Sequence, residues 1–263
     1  MEQVINRGLD GVNIDTSSIC FIDGAKGELI YRGYDIRQLA DKASFEEVVY
    51  LLWNGELPTA TQLADFKAGL AVSFGVPEAV YRMLEAAPAE TAPMHLLRSA
   101  ISLLGAFDEA ADEVDMGNVK RIGLRLLAQF PTVVAAIQRV RNGQSPIAPH
   151  PELGVAGNFL YMLTGEEPTP AATEVMDVAL VLHAEHGSNA STFVARATAS
   201  SLTDVYSAVT AAVGSLKGPL HGGANEAVME ALEEIGDLSG VESYVQGVLS
   251  RPGGRVMGFG HRV

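Results

Sequence analysis

Apolar residues recur at helical spacing along almost the whole 263-residue chain, which leaves little room for a β-rich fold. The clearest early exception runs from Ile19 to Arg32. There two short β-prone runs, Ile19–Asp23 and Glu28–Arg32, flank Gly24-Ala25-Lys26-Gly27, which reads as a hairpin turn. Helix starts follow it. Ser44-Phe-Glu-Glu47 is a capping box whose helix should end near Gly55, and Thr59-Ala-Thr-Gln62 is another. Met94, Leu97, Ile101 and Leu104 fall on one helical face. Thr169-Pro170 places a cap before a proline at the first helical position, and Ser239-Gly-Val-Glu242 should open a further helix. The expected fold is all-α: about ten helices of ordinary length and one small N-terminal β-hairpin. There is no internal repeat and no low-complexity segment.

A chain of this length can hold one large domain or one domain and part of a second. The net charge of −14 opposes nucleic-acid binding and disfavours anionic membranes. It also gives weight to any basic residue near a candidate site. No apolar run is long enough for a transmembrane helix. The opening MEQVINRGLDGVNID is neither a secretory signal nor an Arg-rich transit peptide. The single cysteine, Cys20, cannot form an internal disulfide, which fits a reducing, cytoplasmic setting, and its apolar neighbours suggest a buried structural thiol. Pro- and Gly-rich loops fall at Asn142–Pro151, Thr164–Pro170 and Lys217–Gly223. The last carries a histidine between two helices and has the glycines of a hinge. The final Met257-Gly-Phe-Gly-His-Arg-Val263 is a glycine-rich loop, an unusual place for a natural chain to stop, so a fragment is expected.

Four of the six histidines lie in the last third: His183, His186, His221 and His261. His95 and His150 stand apart. His183 and His186 follow an apolar helical run, and a spacing of three would place both rings on nearly one helical face. A metal site would need further ligands, and HAEH is not the HExxH pattern. A polar helix end with hydrogen-bonded histidines is the plainer alternative. His221, in Gly218-Pro-Leu-His221-Gly-Gly, precedes a helix expected to start around Ala224–Glu226. Free amides at a helix N-terminus favour neutral imidazole, which can donate to a carbonyl becoming an enolate. An ordinary polar turn is the alternative there. His261 sits in a glycine loop with Arg251, Arg255 and Arg262 nearby, a grouping that suits an anionic ligand or, more simply, a solvated basic turn. Neither Gly258-Phe-Gly260 nor Gly214-Ser-Leu-Lys-Gly completes a nucleotide-binding motif.

HAEHGSNAST, GPLHGGANEAV and VMGFGHRV, in that order and at these separations, resemble the citrate synthase family. The segment Ile22-Asp-Gly…Leu29-Ile-Tyr-Arg-Gly-Tyr-Asp35-Ile and Pro93-Met-His-Leu-Leu-Arg-Ser-Ala100 resemble its bacterial, thermophile-like members. The resemblance runs across the whole chain. It implies a mostly helical homodimer in the cytoplasm, with a large domain over residues 1–220 and an incomplete small domain from 221 to 263. Acetyl-CoA would condense with oxaloacetate between the domains. By motif, His186 matches the histidine that binds oxaloacetate, and His221 the one that hydrogen-bonds the acetyl thioester carbonyl. His261 matches the one that polarises the ketone. Arg255, Val256, Met257, Gly258, Phe259 and Gly260 match the strip along which coenzyme A lies. No metal and no tightly bound cofactor are implied, coenzyme A being a cosubstrate.

The family's catalytic base is an aspartate far downstream, and further arginines that clamp oxaloacetate also lie beyond position 263. Asp204, Glu226 and Asp237 have no motif claim to the base role, so the 263-residue polypeptide alone is expected to be inactive. Three alternatives stand beside this reading. 2-Methylcitrate synthase shares the motifs and takes propionyl-CoA. A non-catalytic helical dimerisation domain would use the amphipathic helices without chemistry. A metal hydrolase would rest on the clustered histidines.

Overall fold

A computed structural model describes residue 12 and residues 14–259. Twelve α-helices and one small antiparallel sheet make up the described residues. Strands β1 (Cys20–Asp23) and β2 (Glu28–Tyr31) pair with Cys20 opposite Tyr31 and Asp23 opposite Glu28, around the expected turn. A third strand, β3 (Tyr34–Asp35), was not anticipated. It returns through the two-residue turn Arg32-Gly33, where both residues have positive φ (48° and 93°), the geometry that matches strand twist in a tight hairpin. Arg32 holds this conformation despite its side chain because its guanidinium is tied down. Nη2 donates to the Leu52 carbonyl at 2.9 Å and Nη1 to Ser18 Oγ at 2.9 Å. The Leu52 carbonyl is one of those left unpaired at a helix end, so the turn and the helix end satisfy each other.

Helix α1 (Ile36–Lys42) is capped by Asp35. Both expected capping boxes form, on α2 (Phe45–Asn54) and α3 (Ala60–Ala71), and α2 ends at a left-handed Gly55. Next come α4 (Glu78–Ala86), α5 (Pro93–Gly105), α6 (Met116–Arg141), α7 (Val155–Thr164) and α8 (Pro170–His183, capped by Thr169). The last four are α9 (Ala190–Ala199), α10 (Val205–Leu216), α11 (Gly223–Ile235) and α12 (Val241–Leu249). One start signal was misread. Ser239 does not cap α12; it lies inside a 3-10 turn, Leu238–Gly240, capped by Asp237, and its hydroxyl donates to the Asp237 carboxylate. Asp237 satisfies the Ser239 amide first, so the longer helix begins only after the turn.

Two apolar clusters form the core. One joins α4, α5, α6 and α10 through Leu84, Ile101, Leu104, Ile122 and Tyr206, and the face read from Leu97, Ile101 and Leu104 is buried in it. The other joins the sheet to α1, α2, α7 and α8 through Tyr31, Leu51, Val155 and Val181. Helix α6, 26 residues and so roughly 39 Å long, runs beside both. A cleft of about 300 Å³ opens between α2, α3, α7 and α8. Two of its carboxylates already have partners: Glu46 accepts from the Val155 amide (2.8 Å) and Asp177 from the Phe45 amide (3.0 Å). Helices α11 and α12 pack chiefly on each other, and Leu220, Met229, Leu232, Leu238 and Leu249 are exposed around them.

A buried ionic cluster locks the first core region. The Asp108 side chain, 5 % exposed, accepts from Arg121 Nη2 through both oxygens (2.9 Å each), from Arg125 Nη1 (2.8 Å) and from Tyr206 Oη (2.7 Å). Burial alone would raise this carboxyl, but the Tyr206 hydroxyl and the arginines hold it below the usual carboxylate range. Asp108→Ala should cost about 3 kcal/mol, the low end for breaking a buried pair, because both arginines stay partly solvated. Thermal melts should show a fall of roughly 6–12 °C for a chain of this size. The cluster's contribution is fully present above the ordinary carboxylate value near pH ~4 and is lost as pH falls through the depressed folded value. The gap between native and variant should therefore close in acid.

Candidate active site

The candidate site is built where α8 stops. The expectation that His183 and His186 share a helical face is overturned: α8 ends at His183, and His186 lies in the loop that follows. His183 is exposed, and its Nδ1 meets the Ala179 carbonyl of its own helix at 2.6 Å. Tyr31 stands at the stop. Continuing the helix would send the Glu185 amide to the Val181 carbonyl. That amide instead donates to Tyr31 Oη (3.1 Å), which itself donates to the Glu185 carbonyl at 2.7 Å and approaches the Val181 carbonyl at 3.3 Å. The loop then turns at Gly187, whose φ of +87° suits glycine and whose amide reaches Glu185 Oε1 at 2.5 Å.

Asn189 closes the loop and caps α9, its Oδ1 accepting from the Thr192 amide at 2.8 Å. The same side chain connects two candidate histidines. Its Nδ2 lies 3.2 Å from His186 Nε2, and its Oδ1 accepts from Ser191 Oγ at 2.8 Å. Ser191 Oγ lies 2.9 Å from His221 Nε2, and the Ser191 amide donates to that nitrogen at 3.3 Å. His221 is half-buried in the turn between α10 and α11, just before Gly222, the N-cap of α11. The structure thus brings His186 and His221 together through Asn189 and Ser191. Reading the sequence gave those two residues no role. The available signal was an asparagine three residues before Thr192 at the start of a helix, an N-cap pattern.

The other candidates are placed differently. His261 and Gly260 lie outside the described residues. Arg255, Val256, Met257, Gly258 and Phe259 follow α12. Gly258 (φ +87°) sits against Val228 of α11, and Phe259 is 83 % exposed. No hydrogen bond among the described residues joins this strip to the Asn189 network. His150 packs edge-on against Tyr161. Asp204 and Asp237 serve as caps, Asp204 accepting from the Ser207 amide at 2.8 Å. Among the described residues, no three of His, Cys, Asp and Glu gather as a set that could hold a metal ion, and no helix is long and apolar enough to cross a membrane. Cys20 is part-buried beside the loop, and burial, with the Glu185 charge, pushes its thiol up to about 11. That is the mark of an inert rather than a reactive thiol.

Comparison with known proteins identifies the family. Residues 8–263 match the family described as "Citrate synthase, C-terminal domain". Citrate synthase of Deinococcus radiodurans is 47% identical over 259 residues, which cover 98% of this chain and 68% of that protein. 2-Methylcitrate synthase of Mycobacterium tuberculosis is 46% identical over 259 residues, 98% of this chain and 65% of that protein. Among solved structures, the citrate synthase from Pyrobaculum aerophilum superposes with a TM-score of 0.88 at 41% identity, over 98% of this chain and 66% of that one. The chain spans about two thirds of the length of these relatives. With the helical architecture shared and the match running over nearly every residue, the chain belongs to the citrate synthase family.

Proposed function

We propose that the enzyme containing this chain condenses acetyl-CoA with oxaloacetate and hydrolyses the resulting citryl-CoA to citrate and coenzyme A. The observation that carries this reading is the hydrogen-bonded line from His186 through Asn189 and Ser191 to His221. It sets two imidazoles into one loop cluster, as a reaction between two carbonyl compounds requires. His186 would hold oxaloacetate. Ser191 holds the His221 ring by its Nε2, through its hydroxyl (2.9 Å) and its amide (3.3 Å). His221 would donate a hydrogen bond to the thioester oxygen as loss of a methyl proton turns it into an enolate. The enolate carbon then attacks the ketone carbon of oxaloacetate, whose oxygen His261 would polarise. Residues Arg255–Gly260 would lie along coenzyme A. The base that takes the methyl proton belongs, by family pattern, to a segment outside these 263 residues, so this polypeptide alone lacks it.

A large domain over residues 1–220 and a small domain beginning at His221 complete the reading. It is supported by the way α11 and α12 pack chiefly on each other. A homodimer and a cytoplasmic location belong to the same proposal, the single, unpaired Cys20 being in keeping with a reducing compartment. A second reading, 2-methylcitrate synthesis from propionyl-CoA, is favoured by the Mycobacterium tuberculosis relative. The test is oxaloacetate-dependent release of coenzyme A by the enzyme completed to the length of its relatives, with specificity constants for both acyl-CoAs. One methylene is worth roughly 10–200-fold in a fitted pocket. A preference of that size for acetyl-CoA supports citrate synthesis, the reverse preference transfers the assignment to 2-methylcitrate, and no release with either acyl-CoA sinks both.

A further inference from the structure

We infer that Tyr31, on the N-terminal sheet, is a positioning residue for His186. Its hydroxyl ends helix α8 at His183 and so places His186 in the site loop rather than on the helix. The ring is fully buried (0 % exposed) against α8, and its only polar atom faces the loop. Oη accepts from the Glu185 amide at 3.1 Å and donates to the Glu185 carbonyl at 2.7 Å, taking both backbone groups of the residue just before His186. Without it, the Glu185 amide would have the Val181 carbonyl as its natural partner, and the helix would run on by at least a residue. Each residue added to a helix rotates the next side chain by about 100°, so His186 would turn away from Asn189 and from the line to His221.

The surroundings keep Tyr31 in place. Arg32 next to it is anchored to Leu52 and Ser18, and β2 is paired on both sides, with β1 and β3. Ile22 of β1 lies under Gly187, 3.7 Å from where a Cβ would stand. The sheet thus acts as a rigid platform for the loop, and Tyr31 is its hydrogen-bonding point. The segment Ile30-Tyr-Arg-Gly-Tyr-Asp35 thereby gains a role in the site although it lies far from the histidines in the chain.

The assignment of oxaloacetate to His186 rests on the function proposed above, so the experiment separates the two ideas. Tyr31→Phe keeps the buried ring and removes only the hydroxyl. In the 263-residue chain, NMR should show the His186 ring resonances shifted while those of His95 and His150 stay put, and faster exchange or a new helical signature at the Glu185 amide. Oxaloacetate affinity, measured by titration in the completed enzyme, should fall about tenfold, the scale of one lost buried hydrogen bond. In a His186→Ala background, Tyr31→Phe should weaken oxaloacetate no further. An unmoved His186 signal, or equal weakening in both backgrounds, overturns the positioning role. If His186→Ala leaves oxaloacetate affinity intact while Tyr31→Phe still shifts the His186 ring, positioning stands and the ligand assignment fails.

Discussion

Assayed alone, a polypeptide of these 263 residues is expected to release coenzyme A from acetyl-CoA and oxaloacetate at a rate lower by at least about 10²–10⁴-fold than the enzyme completed to family length, the factor general-base catalysis alone supplies. Loss of the oxaloacetate-clamping arginines, which the family pattern also places downstream, should deepen the deficit. Asp204, Asp237 and Glu226 do not offer a replacement for the base. Asp204 is held by the Ser207 amide and hydroxyl, Asp237 caps a 3-10 turn, and Glu226 is exposed in the first turn of α11. A discontinuous assay of thiol release, run beside the longer enzyme under the same conditions, decides the matter. Comparable turnover by the shorter polypeptide would remove the basis for placing the base elsewhere.

In the completed enzyme, His221→Ala is expected to lower kcat by about 10²–10³, the cost of removing one donor aimed at a developing oxyanion, or roughly 3–4 kcal/mol of transition-state stabilisation. The KM for acetyl-CoA should change much less, because the enolate forms only on the way to the transition state. His221 is held by Ser191 through both a hydroxyl and an amide, so Ser191→Ala, which keeps the amide, should lose only a small part of that factor. Steady-state kinetics with varied acetyl-CoA checks both variants. A drop in kcat/KM arising only from KM would show that the ring binds substrate without stabilising the enolate.

Local signals carried much of the fold. The Ser44 and Thr59 boxes, the Thr169-Pro170 start, the face from Leu97 to Leu104 and the β1–β2 turn could all be read because each depends on residues within one turn or hairpin. What escaped depends on distant partners. Strand β3 needs Arg32 in a left-handed conformation that Leu52 supports from another helix. The end of α8 needs a hydroxyl from the N-terminal sheet, so the spacing of His183 and His186 looked helical. The Asp108 cluster draws on α6, α10 and the turn after α5. For the site, family-like motifs pointed to His186 and His221, whereas Asn189 and Ser191, which connect them, became visible only in three dimensions.

The contact between Tyr31 and Glu185 spans 154 positions of the chain. During synthesis the sheet emerges long before α8, and a small sheet is marginal by itself in water. It must wait for a partner that appears only after most of the helices have been made. Closing so large a loop slows folding more than it weakens the finished protein. The geometry around His186 should therefore be among the last features to mature, and a chain stalled before α8 would carry an N-terminal segment with its buried tyrosine still uncovered.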